Sequence, residues 1–372
     1  MHPKSTIFSA LALGLLTASP CPGQVTYSTI LASNYSVTGV RGDTGGNVLL
    51  TGSYQDSNQT TQGLLYEGPL SPTNPAGYSY LAPTFAAENV TTSVFYGPDT
   101  SVFDPSLGAG NIAVVGSYQY SESTVLNHGL LYEGPLTGGG TWTQIDVPSS
   151  AVGNATVLDT IPHSTMGNLV VGDYDLQGVP NSANAFIYDI ATQDWTLFDF
   201  GNTTNDTTAY GIWQNGIGSN SYTIAGGSGA GLGINDGFLV DFNSQTGLFT
   251  HLAYYSFNGT PGIITHFEGI TAVAGGFDLV ATTDSGAAFA TVDTNPDGSF
   301  GNATWTSISY PDSNLSTGDS VYEQTAMGIY STPGTPGIQS YIAEVPEPSY
   351  AIFVVGLAGV VVAWRGKMRA RA

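Results

Sequence analysis

The octapeptide GLLYEGPL occurs twice in this chain, at Gly63–Leu70 and again at Gly129–Leu136. A duplication of that length means that one structural unit is used more than once, which constrains the fold more than any local propensity. A matching strand-like segment precedes each copy: GNVLLTGSY (46–54) and GNIAVVGSY (110–118). The pattern continues with GNLVVGDY (167–174) before NAFIYDI (184–190), SYTIAGG (221–227) before DGFLVDF (236–242), and FDLVATTD (277–284) before AAFATVD (287–293). Another β-like segment follows each pair: YSYL (78–81), WTQIDVP (142–148), WTLFDF (195–200), LFTHL (248–252) and WTSISYP (305–311). Measured on Tyr66, Tyr132, Tyr188 and Val240, the period runs from 52 to 66 residues. Helical and leucine-rich repeats are shorter than that.

Each unit therefore offers about four short strands rich in Val, Ile, Tyr and Thr, divided by Gly, Asn, Asp and Pro turns. Helical periodicity is absent from the body. A lone four-stranded sheet leaves both faces uncovered, so units of this kind must stack, as propeller blades do. Five units carry a full set of strands. A sixth begins at SVYEQTAMGIY (320–330) and QSYIAEV (339–345) but lacks its last strand, and the N-terminal VTYSTIL (25–31) has the look of that strand. Pairing the two ends would close a ring and remove its sheet edges. The expected fold is all-β: a six-bladed β-propeller over residues 24–345, closed by the N-terminal strand. By count alone, five or seven blades or a β-solenoid also fit. Trp142, Trp195 and Trp305 recur at one repeat position, which favours packing between blades over a sugar-stacking platform. GSGAGLG (227–233) lacks a following helix and a Lys, so it reads as a hairpin rather than a phosphate loop.

NHGLLYEG (127–134) and NAFIYD (184–189) resemble the extracellular HAF-type repeats, whose core reads His-Ala-Phe-Leu-Tyr. The likeness covers the body in patches and drifts in the fifth unit. It implies a propeller-like array on an exported bacterial protein, and no enzyme activity follows from it.

The two ends read as addresses. At the N-terminus, Lys4, an apolar run from Ile7 to Leu16 and small residues beyond form a secretory signal peptide, residues 1–23. Cys21, the only cysteine, would leave with it, so the mature chain would have no disulfide. At the C-terminus, Tyr350 to Trp364 is a charge-free run of 15 residues, roughly 22 Å long as a helix. That is short of the ~30 Å hydrocarbon core. Arg365, Lys367, Arg369 and Arg371 follow it and should stay cytoplasmic. Pro346, Glu347 and Pro348 precede it, and the prolines hold that stretch extended and accessible. In parts and order, residues 346–372 resemble the PEP-CTERM sorting signal of Gram-negative bacteria that make exopolysaccharide. The resemblance implies that an exosortase cuts at or near Pro346-Glu347-Pro348 and that the basic cluster is a disposable stop. It also implies membrane attachment through the single-span C-terminal helix before processing, then release to the envelope, cell surface or matrix. An ordinary single-span anchor is the competing reading.

Charge narrows the partners. Residues 24–345 hold 27 of the chain's 28 acidic residues and a single base, Arg41. Such a surface repels phosphate backbones and anionic headgroups, which excludes nucleic acid as a partner.

No catalytic constellation is evident: His128, His163, His251 and His266 are scattered, HExxH is missing, and no pair has zinc-ligand spacing. Asp293, Asn295 and Asp297 in DTNPDGSFGN occupy positions 1, 3 and 5 of a calcium-type loop, with Gly298 at the turn. Thr304 stands where such a loop needs an acid, and Asp-Gly is equally a hairpin dipeptide, so calcium and a plain turn both stand. The expected function is a non-enzymatic envelope or matrix protein that needs no cofactor other than calcium at that loop. Its expected ligand is exopolysaccharide or another surface component. A secreted propeller hydrolase or lyase, with carboxylates in a central channel, is the alternative.

Overall fold

The computed structural model describes residues 23–346 except 31–33, 71–76, 85–89, 122–124, 180–182, 201–205, 230–234 and 336. The body is the compact unit Val25–Val345. The expected signal peptide, Glu347, Pro348, the apolar run and the basic cluster lie outside the described residues, and Pro346 is the last residue within them. Among the described residues no helix is long and apolar enough to cross a membrane.

The body is built from antiparallel meanders. Strand β1 (Thr26–Ile30) is followed by β2 (Tyr35–Gly42), β3 (Val48–Gln55), β4 (Thr61–Gly68) and β5 (Tyr78–Leu81). Next come β6 (Val90–Thr100), β7 (Asn111–Tyr120), β8 (His128–Pro135) and β9 (Thr141–Gln144). One parallel bridge, Thr61 to Thr92, merges these two four-stranded meanders into an eight-stranded sheet. Three separate four-stranded sheets follow. The first holds β10 (Val157–Met166), β11 (Leu169–Leu176), β12 (Asn184–Asp189) and β13 (Trp195–Phe198). The second holds β14 (Thr207–Gln214), β15 (Ser221–Ser228), β16 (Asp236–Asn243) and β17 (Leu248–Tyr255). The third holds β18 (Thr265–Val273), β19 (Gly276–Thr283), β20 (Gly286–Thr294) and β21 (Phe300–Ser307).

The last sheet contains β22 (Leu315–Ser316), β23 (Ser320–Tyr322), β24 (Thr325–Ser331) and β25 (Gln339–Glu344), and β1 is its outer strand. Thr26 pairs with Glu344 and Ile30 with Ser340, so the N-terminal segment supplies the strand that the C-terminal set lacks. The stretch 320–330, which the sequence presents as one strand, is two. Tyr322 pairs with Thr325 across a two-residue turn, and Glu323 takes a left-handed φ of 51° to make it.

The second strand of each meander is buried on both faces, which explains why VLL (48–50), IAVV (112–115) and LVV (169–171) are apolar runs rather than alternating patterns. Turn chemistry sets the hairpins between them. Met166 pairs with Leu169 around Gly167, whose φ of 56° suits glycine in a two-residue turn. The apolar core is divided into six clusters, each between successive meanders. Leu49 and Leu65 meet Phe95, Val114 and Leu130; Val115 and Leu131 meet Val170 and Phe186. Val171 and Ile187 meet Ile212 and Phe238, and Leu239 meets Phe267 and Leu279. Val280 and Phe289 meet Tyr330 and Tyr341. Ile30, Met327 and Ile342 return to Val37, Leu50 and Leu64. The architecture is all-β and propeller-like, and among the described residues the only helical segments are short 3-10 turns.

Candidate functional site

The first strands of five meanders share a defect. The pairing register shifts between Val37 and Gly39, Phe95 and Pro98, Pro162 and Ser164, Ala209 and Gly211, and Phe267 and Gly269. A bulge leaves its extra residue unpaired and re-aims that side chain. The residues so presented are Thr38, Tyr96, His163, Tyr210 and Glu268. Asp319, just ahead of β23, joins them, and together the six line one chamber of about 150 Å³. A tighter space of about 20 Å³ shares Thr38, His163, Tyr210, Glu268 and Asp319 and reaches Arg41. Small residues after the bulges let neighbouring strands close in: a Cβ on Gly97 would lie 2.6 Å from the His163 carbonyl oxygen.

His163 Nε2 lies 2.6 Å from Asp173 Oδ1, and its ring stacks on Tyr210 at 3.7 Å between centroids. The Tyr96 ring lies 5.2 Å from that of His163, tilted by 48°. Tyr210 also meets the ring of His266 edge-on at 4.5 Å. His266 Nδ1 is 3.0 Å from Glu268 Oε1, and its Nε2 contacts the Thr208 hydroxyl. A donor at Nδ1 and an acceptor at Nε2 satisfy both contacts.

Burial pushes Asp319 up to about 8, and the Glu268 charge adds to it, against opposing hydrogen bonds from Thr317 and Ile329. Part of Asp319 faces the chamber, but its Oδ2 is sealed from water and has no hydrogen-bond partner. Burial raises both phenols, and nearby carboxylates add to the shift at Tyr210.

Arg41, the only base of the body, is 4% exposed. It donates to the carbonyls of Pro98 and Thr165 and sits over the Trp213 ring. Its neighbour Asp99 accepts from the backbone N–H of Thr100 and of Gly167, and burial holds this carboxyl at about 7 despite the guanidinium. The arginine is thus structural, and it does nothing to offset the negative outer surface.

A second feature lies between β17 and β21: a groove of about 730 Å³ with no charged residue in its lining. Tyr254, Tyr255 and Trp305 supply aromatic surface; Asn258, Asn302 and Thr304 supply amides and a hydroxyl. Trp305 is held by Phe267, parallel within 9° at 5.7 Å, and by the edge of Phe257. Tyr255 donates to the Gly301 carbonyl at 3.0 Å. Trp142 and Trp195 hold the corresponding places against Tyr132 and Tyr188, at 4.7 and 4.8 Å.

The calcium-type stretch forms the turn between β20 and β21. Asp293 pairs with Gly276 at the strand end. Asp297 Oδ1 accepts from the backbone N–H and hydroxyl of Ser299, which lowers its pKa, and Asn295 Nδ2 donates to the same hydroxyl. Among the described residues no three His, Cys, Asp or Glu side chains gather as a metal-binding group. His128 is bound to Asp146 at 2.6 Å and stacks against Tyr118 and Tyr120, a packing role. β15 and β16 pair antiparallel from Ser228 and Asp236 onward, and residues 230–233 of GSGAGLG lie outside the described residues.

Sequence reasoning missed the residues that the bulges bring to this chamber. Its signal is the short motif Val-Thr-Gly-Val (37–40), Phe-Tyr-Gly-Pro (95–98), Ala-Tyr-Gly-Ile (209–212) and Phe-Glu-Gly-Ile (267–270). The variable second position hides it.

The fold defines an all-β, propeller-like protein. No protein-family model matches the sequence, and no curated protein does. Among solved structures, a protein of unknown function from Dyadobacter fermentans matches with a TM-score of 0.53 at 11% identity, over 87% of this chain and 99% of that one. An α-L-arabinofuranosidase from Fusarium graminearum matches with a TM-score of 0.50 at 13% identity, over 88% of this chain and 99% of that one. At such identities the likeness is one of fold.

Proposed function

We propose that this chain is an exported, non-enzymatic protein of the bacterial envelope or extracellular matrix that binds exopolysaccharide. In this reading its body is a six-bladed propeller closed by β1. The six core clusters between successive meanders support that count, with the eight-stranded sheet taken as two blades. An N-terminal signal peptide exports it, and an exosortase processes it at Pro346-Glu347-Pro348, leaving Arg365, Lys367, Arg369 and Arg371 behind.

The observation that carries the ligand class is the uncharged groove at Tyr254, Tyr255 and Trp305. Its volume lies within the ~300–1,000 Å³ of small-molecule sites. Aromatic faces beside amides and hydroxyls match a polyhydroxylated polymer, and a neutral lining avoids repulsion from the acidic surface around it.

A polysaccharide hydrolase or lyase is the second reading, favoured by the convergence of Tyr96, His163, Tyr210, Glu268 and Asp319. Size weighs against it, since a chamber of about 150 Å³ is below the usual range for a substrate of that bulk.

The test is size-exclusion chromatography of the mature protein with the source organism's own exopolysaccharide, following protein position and polymer length together. Co-migration with unchanged polymer, weakened at least tenfold in Trp305→Ala, is expected. Shortened polymer would overturn the binding role in favour of the enzyme.

A further inference from the structure

A cleft of about 570 Å³ opens where the connections β6–β7, β10–β11, β14–β15 and β16–β17 meet. It shares no lining residue with the groove at Trp305. Two of its polar side chains are buried: Gln214 is 6% and Tyr222 2% exposed. Gln214 Nε2 donates to the Ser219 carbonyl at 2.8 Å and to the Tyr222 hydroxyl at 3.0 Å. Both amide hydrogens are thus engaged, which fixes the side chain and leaves its carbonyl oxygen as an acceptor. Among the described residues no donor reaches that oxygen. The Tyr222 hydroxyl accepts from Gln214 and from the backbone N–H of Asn168, so its own hydrogen is left to donate. Gly167 keeps the space clear, since a Cβ there would lie 2.9 Å from Gln214 Nε2.

The rest of the lining sorts the ligands. Asp104 and Asp189 stand near Tyr222 with no Lys or Arg in the cleft, which disfavours an anion. Each acid already serves a turn. Asp189 Oδ1 accepts from Asn168 Nδ2 and from the N–H groups of Ala191 and Thr192, and Asp104 Oδ1 accepts from Ser106. Apolar surface is limited to Pro105, Leu169 and Ile217, the last 64% exposed. The remainder is amide and hydroxyl, from Asn168, Asn220, Gln245, Ser219 and Ser244. A sugar hydroxyl donates and accepts at once, so a saccharide can answer both the Gln214 oxygen and the Tyr222 hydrogen. The volume lies within the ~300–1,000 Å³ of small-molecule sites.

We propose that this cleft is a second saccharide site, taking a short neutral stretch of polymer that donates to Gln214 and accepts from Tyr222. That both sites take the same polymer rests on the polysaccharide-binding role proposed for the groove. Two sites without a common residue let one molecule hold two stretches of polymer, so the protein bridges chains rather than coating them.

The test is calorimetric titration of the mature protein with short oligosaccharides cut from the source organism's exopolysaccharide. Two sites per molecule are expected. Trp305→Ala should remove one, and Gln214→Met should weaken the other at least tenfold. If Gln214→Met does not fold, Ile217→Arg, on the exposed β14–β15 turn, obstructs the cleft and serves the same comparison. With intact polymer the wild type should raise light scattering, and either single variant should abolish the rise. A single site that is lost in Trp305→Ala and unchanged in Gln214→Met and Ile217→Arg overturns the second site and leaves the groove reading standing. A single site lost only in the cleft variants overturns the groove reading and upholds the cleft. No binding in the wild type overturns both, and two sites without a rise in scattering overturn the bridging.

Discussion

If β1 closes the body, one buried side chain on it should matter far more than its exposed neighbours. Ile30 is 1% exposed and packs with Val37, Val48, Met327 and Ile342. Ile30→Ala removes three carbons from that cluster, whose members come from strands on both sides and cannot easily collapse into the gap. Such truncations cost 2–5 kcal/mol, and the well-enclosed site places this one at about 3–4 kcal/mol. A domain of this size loses about 2 °C in melting temperature per kcal/mol, so a fall of about 6–8 °C is expected. Thr29→Ala is the control: Thr29 shares the same ladder through Tyr341, but its side chain faces solvent, and its loss should stay within about 0.5 kcal/mol. Thermal and urea melts of the mature protein read both. If the two variants melt within about 1 °C of each other, β1 does not hold the last sheet, and the argument for closure fails.

Arg41→Met should destabilise by about 3–5 kcal/mol in urea melts, because it strands Asp99 and the Pro98 and Thr165 carbonyls in the interior. The double variant Arg41→Met/Asp99→Asn should recover part of that loss; no recovery would mean that Arg41 acts through packing on Trp213 alone. Asp278 is buried and held at about 6, with Thr291 donating to it at 2.7 Å. Its folded pKa stands above the ordinary value near 3.9, so the folded state keeps a proton that the unfolded chain has lost. The Asp278 contribution to stability therefore falls as pH rises from about 4 to about 6. Asp278→Asn should flatten the fall of the urea midpoint in that window, and an unchanged slope would refute the assignment.

The acid-rich surface looks different once Arg41 is placed. The sequence counts a single base against 27 acids in the body; the fold takes even that base out of solvent. Among the described residues the outer face then carries acids but no exposed Lys or Arg, and the groove at Trp305 is a neutral patch in it. A neutral polymer can approach such a patch, whereas a polyphosphate meets repulsion from every side.

Strand content and repetition were legible in the chain because they depend on local composition and on a unit copied several times. GLLYEGPL and its relatives mark the third strand of each meander, and the apolar runs before them mark the doubly buried second strand. Even the pairing of the ends followed from counting, since VTYSTIL supplies what the last unit lacks. The first strands were harder to see, because each is interrupted by a bulge that breaks alternation. The residues at those bulges, Thr38, Tyr96, His163, Tyr210 and Glu268, differ in type and lie more than 40 residues apart in sequence. Only stacking of the meanders brings them to one chamber. Repetition is written locally, one unit at a time, but a ring of unlike side chains exists only where the copies meet, and that meeting is a property of the tertiary structure.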